Sequence, residues 1–206
     1  MRRWPVLNFA LIGATCFTSG LIILRGANPL ALALDGWRMP GLVGHIFTHA
    51  DLIHLIGNML FLWLFGNAIC AKVGDFPYLV LYVLFGLGAA SLHIHMDGAL
   101  AVGASGAING VVGMFLVLYP LNDINCVWAL WLRVWGTVSL SSYWLILLWF
   151  VFDIWGAVTG GSTVAYWAHI GGFITGVAVA VALLKINVIE MTASERSLLE
   201  VLGSRS

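Results

Sequence analysis

The sequence predicts an all-α polytopic membrane protein: a bundle of six transmembrane helices with a short central helix that carries a serine. Three observations predict it. The 206-residue chain is 61% hydrophobic and 9% charged, with a mean hydropathy of +1.00, whereas a soluble domain is nearer a quarter charged. Six apolar stretches of spanning or near-spanning length recur, at about 5–24, 51–71, 76–92, 105–119, 143–158 and 165–186, judged against the ~20 residues a bilayer core requires. All five prolines (Pro5, Pro29, Pro40, Pro77 and Pro120) fall at or between the ends of these stretches, where they break no interior helix hydrogen bond.

One membrane domain over 1–206 is expected, with a core of about 5–186 and a short, polar, partly amphipathic tail over 187–206. Net charge is zero and no basic run occurs, so the expected surroundings are the lipid bilayer and no nucleic acid. Cys16, Cys70 and Cys126 are scattered and odd in number, which suits buried small hydrophobes better than a disulfide framework.

The first stretch follows Arg2 and Arg3 and precedes Ala31-Leu32-Ala33, as a signal peptide would. Its apolar run is long for one, and Arg25 intervenes, so a retained helix is expected. A long loop, about 25–50, leads to the second stretch, which opens with His54 and, one turn on, Asn58. The fourth stretch opens at Gly103-Ala104-Ser105-Gly106 and runs only 15 residues to Tyr119, about 22 Å against a ~30 Å core. With its inner end at the interface, its outer end lies ~8 Å below the surface by that difference, so Ser105 is submerged. The fifth stretch and its approach carry Trp128, Trp131, Trp135, Trp144, Trp149 and Trp155, suited to interfacial anchoring. The sixth opens at Ala168-His169-Ile170-Gly171-Gly172.

Lysine and arginine set the orientation. With the N-terminus cytoplasmic and six spans, Arg2, Arg3, Lys72, Arg133, Lys185, Arg196 and Arg205 lie inside, and Arg25 and Arg38 outside. That bias obeys the positive-inside rule and places both termini in the cytoplasm. The second, fourth and sixth stretches then run inward, so His54, Asn58, Ser105 and His169 all lie toward the outer face.

Serine or histidine alone in a membrane helix is ordinarily a packing or structural residue; four polar groups converging at one depth point to a site, because each is costly there. Gly106-x-x-x-Gly110 and Gly172-x-x-x-Gly176 give the fourth and sixth stretches small-residue faces that let backbones approach. Close approach is what a serine–imidazole hydrogen bond demands. Acyl transfer also needs oxyanion donors, and His54 and Asn58, which share a helix face, qualify together with the Ser105 N–H. Their alternative reading is interhelical hydrogen-bond glue.

This arrangement resembles the rhomboid family of intramembrane serine proteases. The resemblance rests on Gly103-x-Ser105-Gly106, on His54-x-x-x-Asn58 followed by Met59-Leu60, and on Ala168-His169-x-Gly171-Gly172 with Gly176. It implies a rhomboid-like six-helix bundle and a Ser105–His169 dyad without an aspartate. It also implies oxyanion contacts from His54 and Asn58, and cleavage of other proteins' transmembrane segments near their outer ends. The expected protein is thus an intramembrane serine endopeptidase without cofactor or metal, in a bacterial inner (plasma) membrane, with transmembrane proteins as partners; its oligomeric state is not legible.

Two positions depart from the family. Trp37-Arg38 stands further upstream of His45 than the family's Trp-Arg pair, and Asn109 occupies a place, one turn below the serine, that is aromatic in many members. Asn109 can accept the Nδ1–H of His169 and orient the ring, or bond to a neighbouring helix or buried water. Asp153, the only carboxylate well inside a span, reads as a residue near the outer interface or one shaping substrate entry.

Rival functions are a transporter, a metal site and a rhomboid-like binder without activity. A transporter predicts repeated halves, and none are found. A metal site has His45, His49, His54, His93 and His95 to draw on, but no H-E-x-x-H or carboxylate partner. The silent binder typically lacks the serine or the histidine, and both are kept here.

Overall fold

The computed structural model describes residues 4–130, 134–160 and 163–203, with the side chains of 128–135 left undescribed. The chain is mostly helical. In order it forms α1 (Val6–Arg25), α2 (Met39–Gly44), α3 (Leu52–Phe61), a π turn (Leu62–Gly66), α4 (Asn67–Val73), α5 (Asp75–Met96) and α6 (Ser105–Leu118). A hairpin of β1 (Asp123–Leu130) and β2 (Val134–Ser141) follows, then α7 (Ser142–Thr159), α8 (Tyr166–Lys185) and α9 (Leu198–Gly203). Among the described residues, five helical segments are long and apolar enough to cross a membrane: α1, the continuous run Leu52–Val73, α5, α7 and α8. The sixth apolar helix, α6, has 14 residues.

The hairpin corrects the all-α expectation. Asp123 pairs with Ser141 and Leu130 with Val134 in one antiparallel ladder. Ile124, Val127, Val134, Thr137 and Val138 supply the β-branched residues that favour it; the tryptophans here had read as the approach to a helix. Arg2, Arg3, Arg133, Arg205 and Trp131 lie outside the described residues, as do the side chains of Trp128 and Trp135.

The burial pattern is inside-out. On α1 the buried residues are Asn8, Leu11, Thr15 and Ser19, while Phe9, Phe17 and Leu24 face outward; small and polar residues facing in and large apolar ones out is the membrane arrangement. Asn8 locks three helices. Its amide donates to Leu62 O (2.9 Å) and Asn67 Oδ1 (2.8 Å), and its carbonyl accepts from the Tyr78 hydroxyl (2.6 Å). The inserted amide marks the π turn, where an interruption of the helical ladder is expected. Cys70 is buried, but Cys16 is exposed on α1, correcting its expected burial. Pro77 sits in the first turn of α5, where the helix leaves N–H groups unpaired in any case.

Twelve of the 14 residues of α6 are buried, all except Ser105 and Asn109. The helix packs chiefly against α5 and α8, and glycine sets the spacing. A Cβ on Gly172 would strike Gly106 O, one on Gly176 would strike Gly110 O, and one on Gly113 would strike Phe173 O. A Cβ on Gly110 would meet the Phe85 ring of α5. Backbones this close gain dispersion contacts along their length. At the other end, the Lys72 ammonium pairs with Glu195 of the tail, and Ser197 and Glu200 form a capping box that starts α9.

Candidate active site

The site begins with the cap of α3. Asp51 accepts the His54 N–H on its carboxylate (2.8 Å), the N-cap contact that satisfies one of the helix's free donors. Capping starts the helix at a defined residue and puts His54 in its first turn. Asn58, one turn on and buried, donates from its amide to His54 O (3.0 Å), which leaves its second N–H uncommitted.

The chain enters α6 through a braced turn. Gly103 donates its N–H to His45 O (2.9 Å) and holds φ +120, with the place of a Cβ only 2.7 Å from His54 Cε1 and 2.8 Å from Nε2. Only glycine takes that backbone without strain and leaves room for the imidazole. The next residue, Ala104, donates its N–H to His49 Nε2 (3.4 Å). A backbone N–H can only donate, so the His49 proton is on Nδ1 and goes to Ser19 Oγ (2.9 Å), whose hydroxyl in turn donates to Phe47 O (2.9 Å). Burial pushes His49 down from 6.5 to about 4, which suits this neutral, accepting role.

The other histidines bind backbone too. His45 Nδ1 meets Gly41 O (2.7 Å), His93 Nε2 meets Ala99 O (2.9 Å) and His95 Nδ1 meets Ser91 O (2.7 Å). A carbonyl accepts only, so each of these nitrogens carries its proton and none presents a lone pair to a metal there. Among the described residues, no group of three or more His, Cys, Asp or Glu is placed to hold a metal ion.

Ser105 opens α6, and His169 lies in the first turn of α8, one turn before Gly172. The glycine contacts bring the two helices together there, and Ser105 Oγ lies 2.9 Å from His169 Nε2. On its other side, His169 Nδ1 lies 2.8 Å from Asp153 Oδ1 of α7. With Asp153 Oδ1 as the acceptor, Nδ1 carries the proton and Nε2 presents its lone pair to the serine. The His169 and Asp153 side chains are each 15% exposed, so water reaches them without bathing them.

Asp153 corrects the expected role of Asn109. The Asn109 amide donates to Ser105 O (3.0 Å) on its own helix, and the Nδ1 position it was to fill belongs to the aspartate. Asp153 reaches across because α7 and α8 meet closely at this end: Gly156, one turn on from Asp153, has the Tyr166 ring in the place of a side chain. Asp153 stood out in the sequence as a lone carboxylate in an apolar run, but its register against α8 leaves no periodic trace. Trp37 is exposed and its ring lies edge-on to His95, and Arg38 pairs with Asp35 at the surface; neither contact reaches the site. A cavity of about 1070 Å³ lined by Lys72, Tyr119, Leu183 and Glu195 lies at the C-terminal end of α6 and includes none of these residues.

Known proteins with related sequences share this stretch. A family model described as "Rhomboid domain" matches residues 35–186, well over half of the chain. "Rhomboid protease GlpG" of Klebsiella pneumoniae subsp. pneumoniae is 28% identical over 151 residues, covering 73% of this chain and 49% of that protein. "RHOMBOID-like protein 2" of Arabidopsis thaliana is 31% identical over 151 residues, 73% of this chain and 43% of its own length. "Rhomboid protein 1, mitochondrial" of Saccharomyces cerevisiae is 30% identical over 148 residues, 66% and 39% respectively. The chain spans about half the length, or less, of these curated relatives.

Proposed function

The chain belongs to the rhomboid family, and from that premise we propose that it is an intramembrane serine endopeptidase cleaving transmembrane segments of other membrane proteins. The observation that carries this reading is the 2.9 Å approach of Ser105 Oγ to His169 Nε2, across two helices held together by glycine. Ser105 is the nucleophile and His169 its general base. As Oγ attacks the scissile carbonyl, its proton passes to Nε2, and the same proton then goes to the leaving amine, leaving an acyl ester on Ser105. Water, deprotonated by His169, hydrolyses the ester and restores the hydroxyl.

The tetrahedral oxyanion takes hydrogen bonds from the Ser105 N–H, the His54 imidazole and the free amide hydrogen of Asn58. The Ser105 N–H has no partner within the helix because it opens α6, and the helix dipole favours negative charge there. The His54 ring against Gly103 supports its share of this role. Gly106, Gly110, Gly172 and Gly176 act as packing residues that hold nucleophile to base.

The molecule is a single domain over 1–206 with its core at about 5–186 and the tail at 187–206. It has six spans, α6 being the short one, and both termini are cytoplasmic. At 14 residues α6 reaches about 21 Å of a ~30 Å hydrocarbon core, so Ser105 works below the outer surface. Its expected home is a bacterial inner membrane. Its chemistry uses no cofactor, and its partners are transmembrane substrates and the bilayer.

The purified chain in detergent is expected to react with a fluorophosphonate probe at Ser105 alone, as read by peptide mapping. Ser105→Ala and His169→Ala are expected to lose cleavage of a model transmembrane substrate by several orders of magnitude, the scale of ~10⁶ found for the nucleophile or base of a serine protease. Substantial turnover by either variant, or labelling elsewhere, defeats the assignment.

A further inference from the structure

Asp153 occupies a place where a carboxylate is expensive. It lies within α7, whose run Ser142–Thr159 is apolar enough to span a membrane, and its side chain is 15% exposed. Ionisable groups in such a position face a partner and mark a functional element. The partner is His169 Nδ1, at 2.8 Å. Of the other carboxylates expected on this side, Asp51 accepts in the α3 cap, Asp35 pairs with Arg38, and Asp97 ends α5 with His93 Nδ1 at 3.9 Å.

We infer that Asp153 is a positioning residue for His169, so that Ser105, His169 and Asp153 act as a triad rather than a pair. The inference rests on the protease reading above and deepens it. A histidine base has two tautomers, and only the one with a bare Nε2 can take a proton from serine. Asp153 selects that tautomer by accepting from Nδ1–H, fixes the ring against rotation, and stabilises the imidazolium formed when Nε2 is protonated; it takes no proton itself. The neutral Asn109 amide cannot stabilise a positive ring to the same degree, and it is turned to its own helix. Because Asp153 rides on α7 while Ser105 and His169 ride on α6 and α8, the three members stand on three separate helices.

The test uses the full chain in detergent, with Asp153→Asn and Asp153→Glu beside the wild type. Asparagine keeps the shape but offers N–H groups to Nδ1, which favours the wrong tautomer. Asp153→Asn is expected to lower kcat by ~10²–10⁴, toward the fall seen when a triad aspartate becomes asparagine, with KM and the thermal midpoint little changed. Asp153→Glu restores an acceptor and is expected to recover part of the rate. The ¹⁵N spectrum of His169 is expected to show a protonated Nδ1 in the wild type and to lose that preference in Asp153→Asn.

A kcat for Asp153→Asn within about twofold of wild type, on a scale where a factor of two is ~0.4 kcal/mol, overturns the inference. So does a loss of activity that only tracks a loss of folded protein, with the His169 tautomer unchanged. Failure of the wild type to cleave or to be labelled defeats the protease reading instead, and the nitrogen spectrum still decides whether Asp153 sets the tautomer.

Discussion

His49 shows how one buried ring constrains the whole entry to α6. It is fully buried and must stay neutral to accept from Ala104 N–H, and burial holds it at about 4 in place of 6.5. His45 is lowered too, first by burial. An unfolded chain therefore takes up protons below 6.5 that the folded chain refuses, so this contribution to stability is fully present above 6.5 and fades as pH falls toward about 4. Glu195 titrates below its usual 4.5 despite partial burial, because Lys72 and Thr192 hydrogen-bond its carboxylate, so it stays out of the upper part of that window. The thermal midpoint in detergent is expected to drop between pH 6.5 and about 5, and His49→Gln, which keeps one donor and one acceptor, to flatten the drop. A flat wild-type profile there would show that the ring is free to ionise. At this scale the sequence was partly legible. Ser105 and His169 could be brought together because their motifs carry glycines at helical spacing, which encode contact as well as identity. Asn109 misled because the i+4 rule gives its face but not whether that face looks toward His169, and the partner it was assigned belonged to a residue on another helix.

At the scale of elements, the α6–α8 seam is the most demanding part of the fold, because the place of the Gly176 Cβ is already filled by Gly110 O. Gly176→Ala is expected to force the helices apart, at about 1–3 kcal/mol for a packed interior that must shift. Gly13→Ala on α1, where nothing lies within 4 Å of the added carbon, is expected to be neutral or to stabilise by up to ~1 kcal/mol through helix propensity. Equal thermal shifts for the two would show that the seam has slack. The five long helices were legible, since length and hydropathy define a span directly. The run expected at 51–71 is Leu52–Val73, and that at 76–92 is Asp75–Met96. The hairpin was not, because tryptophan-rich, β-branched sequence beside a membrane helix satisfies an interfacial reading as well as a strand. Nor was the π turn, which depends on Asn8 some fifty residues earlier reaching Leu62 O.

Across the whole molecule the prediction is one of sidedness. Reporter fusions after Lys72 and Lys185 are expected to read as cytoplasmic, and fusions near Arg38, Asp97 and Gly160 as external, by the positive-inside bias of the loops. An external reading at Lys185 would put Ser105 and His169 at the inner face and reverse the expected end of cleavage. The integral, multi-pass character was legible from composition, because a chain 61% hydrophobic and 9% charged has more apolar surface than one soluble core of its length needs; the structure accordingly leaves Phe17, Leu24, Ile53, Phe76, Trp144 and Trp155 exposed together. What composition could not convey is which spans lie deep in the bundle. That depends on glycine-to-carbonyl contacts between helices, and those belong to pairs of sequences read jointly.

The three polar residues are not equally tethered. Ser105 and His169 sit on the glycine-locked pair, but Asp153 sits on α7, much less of which is buried than of α5 or α8. An outward displacement of α7 would take the aspartate away and leave serine and histidine facing each other. On the triad proposed above, turnover would then be the intrinsic rate multiplied by the fraction of time α7 is packed in place.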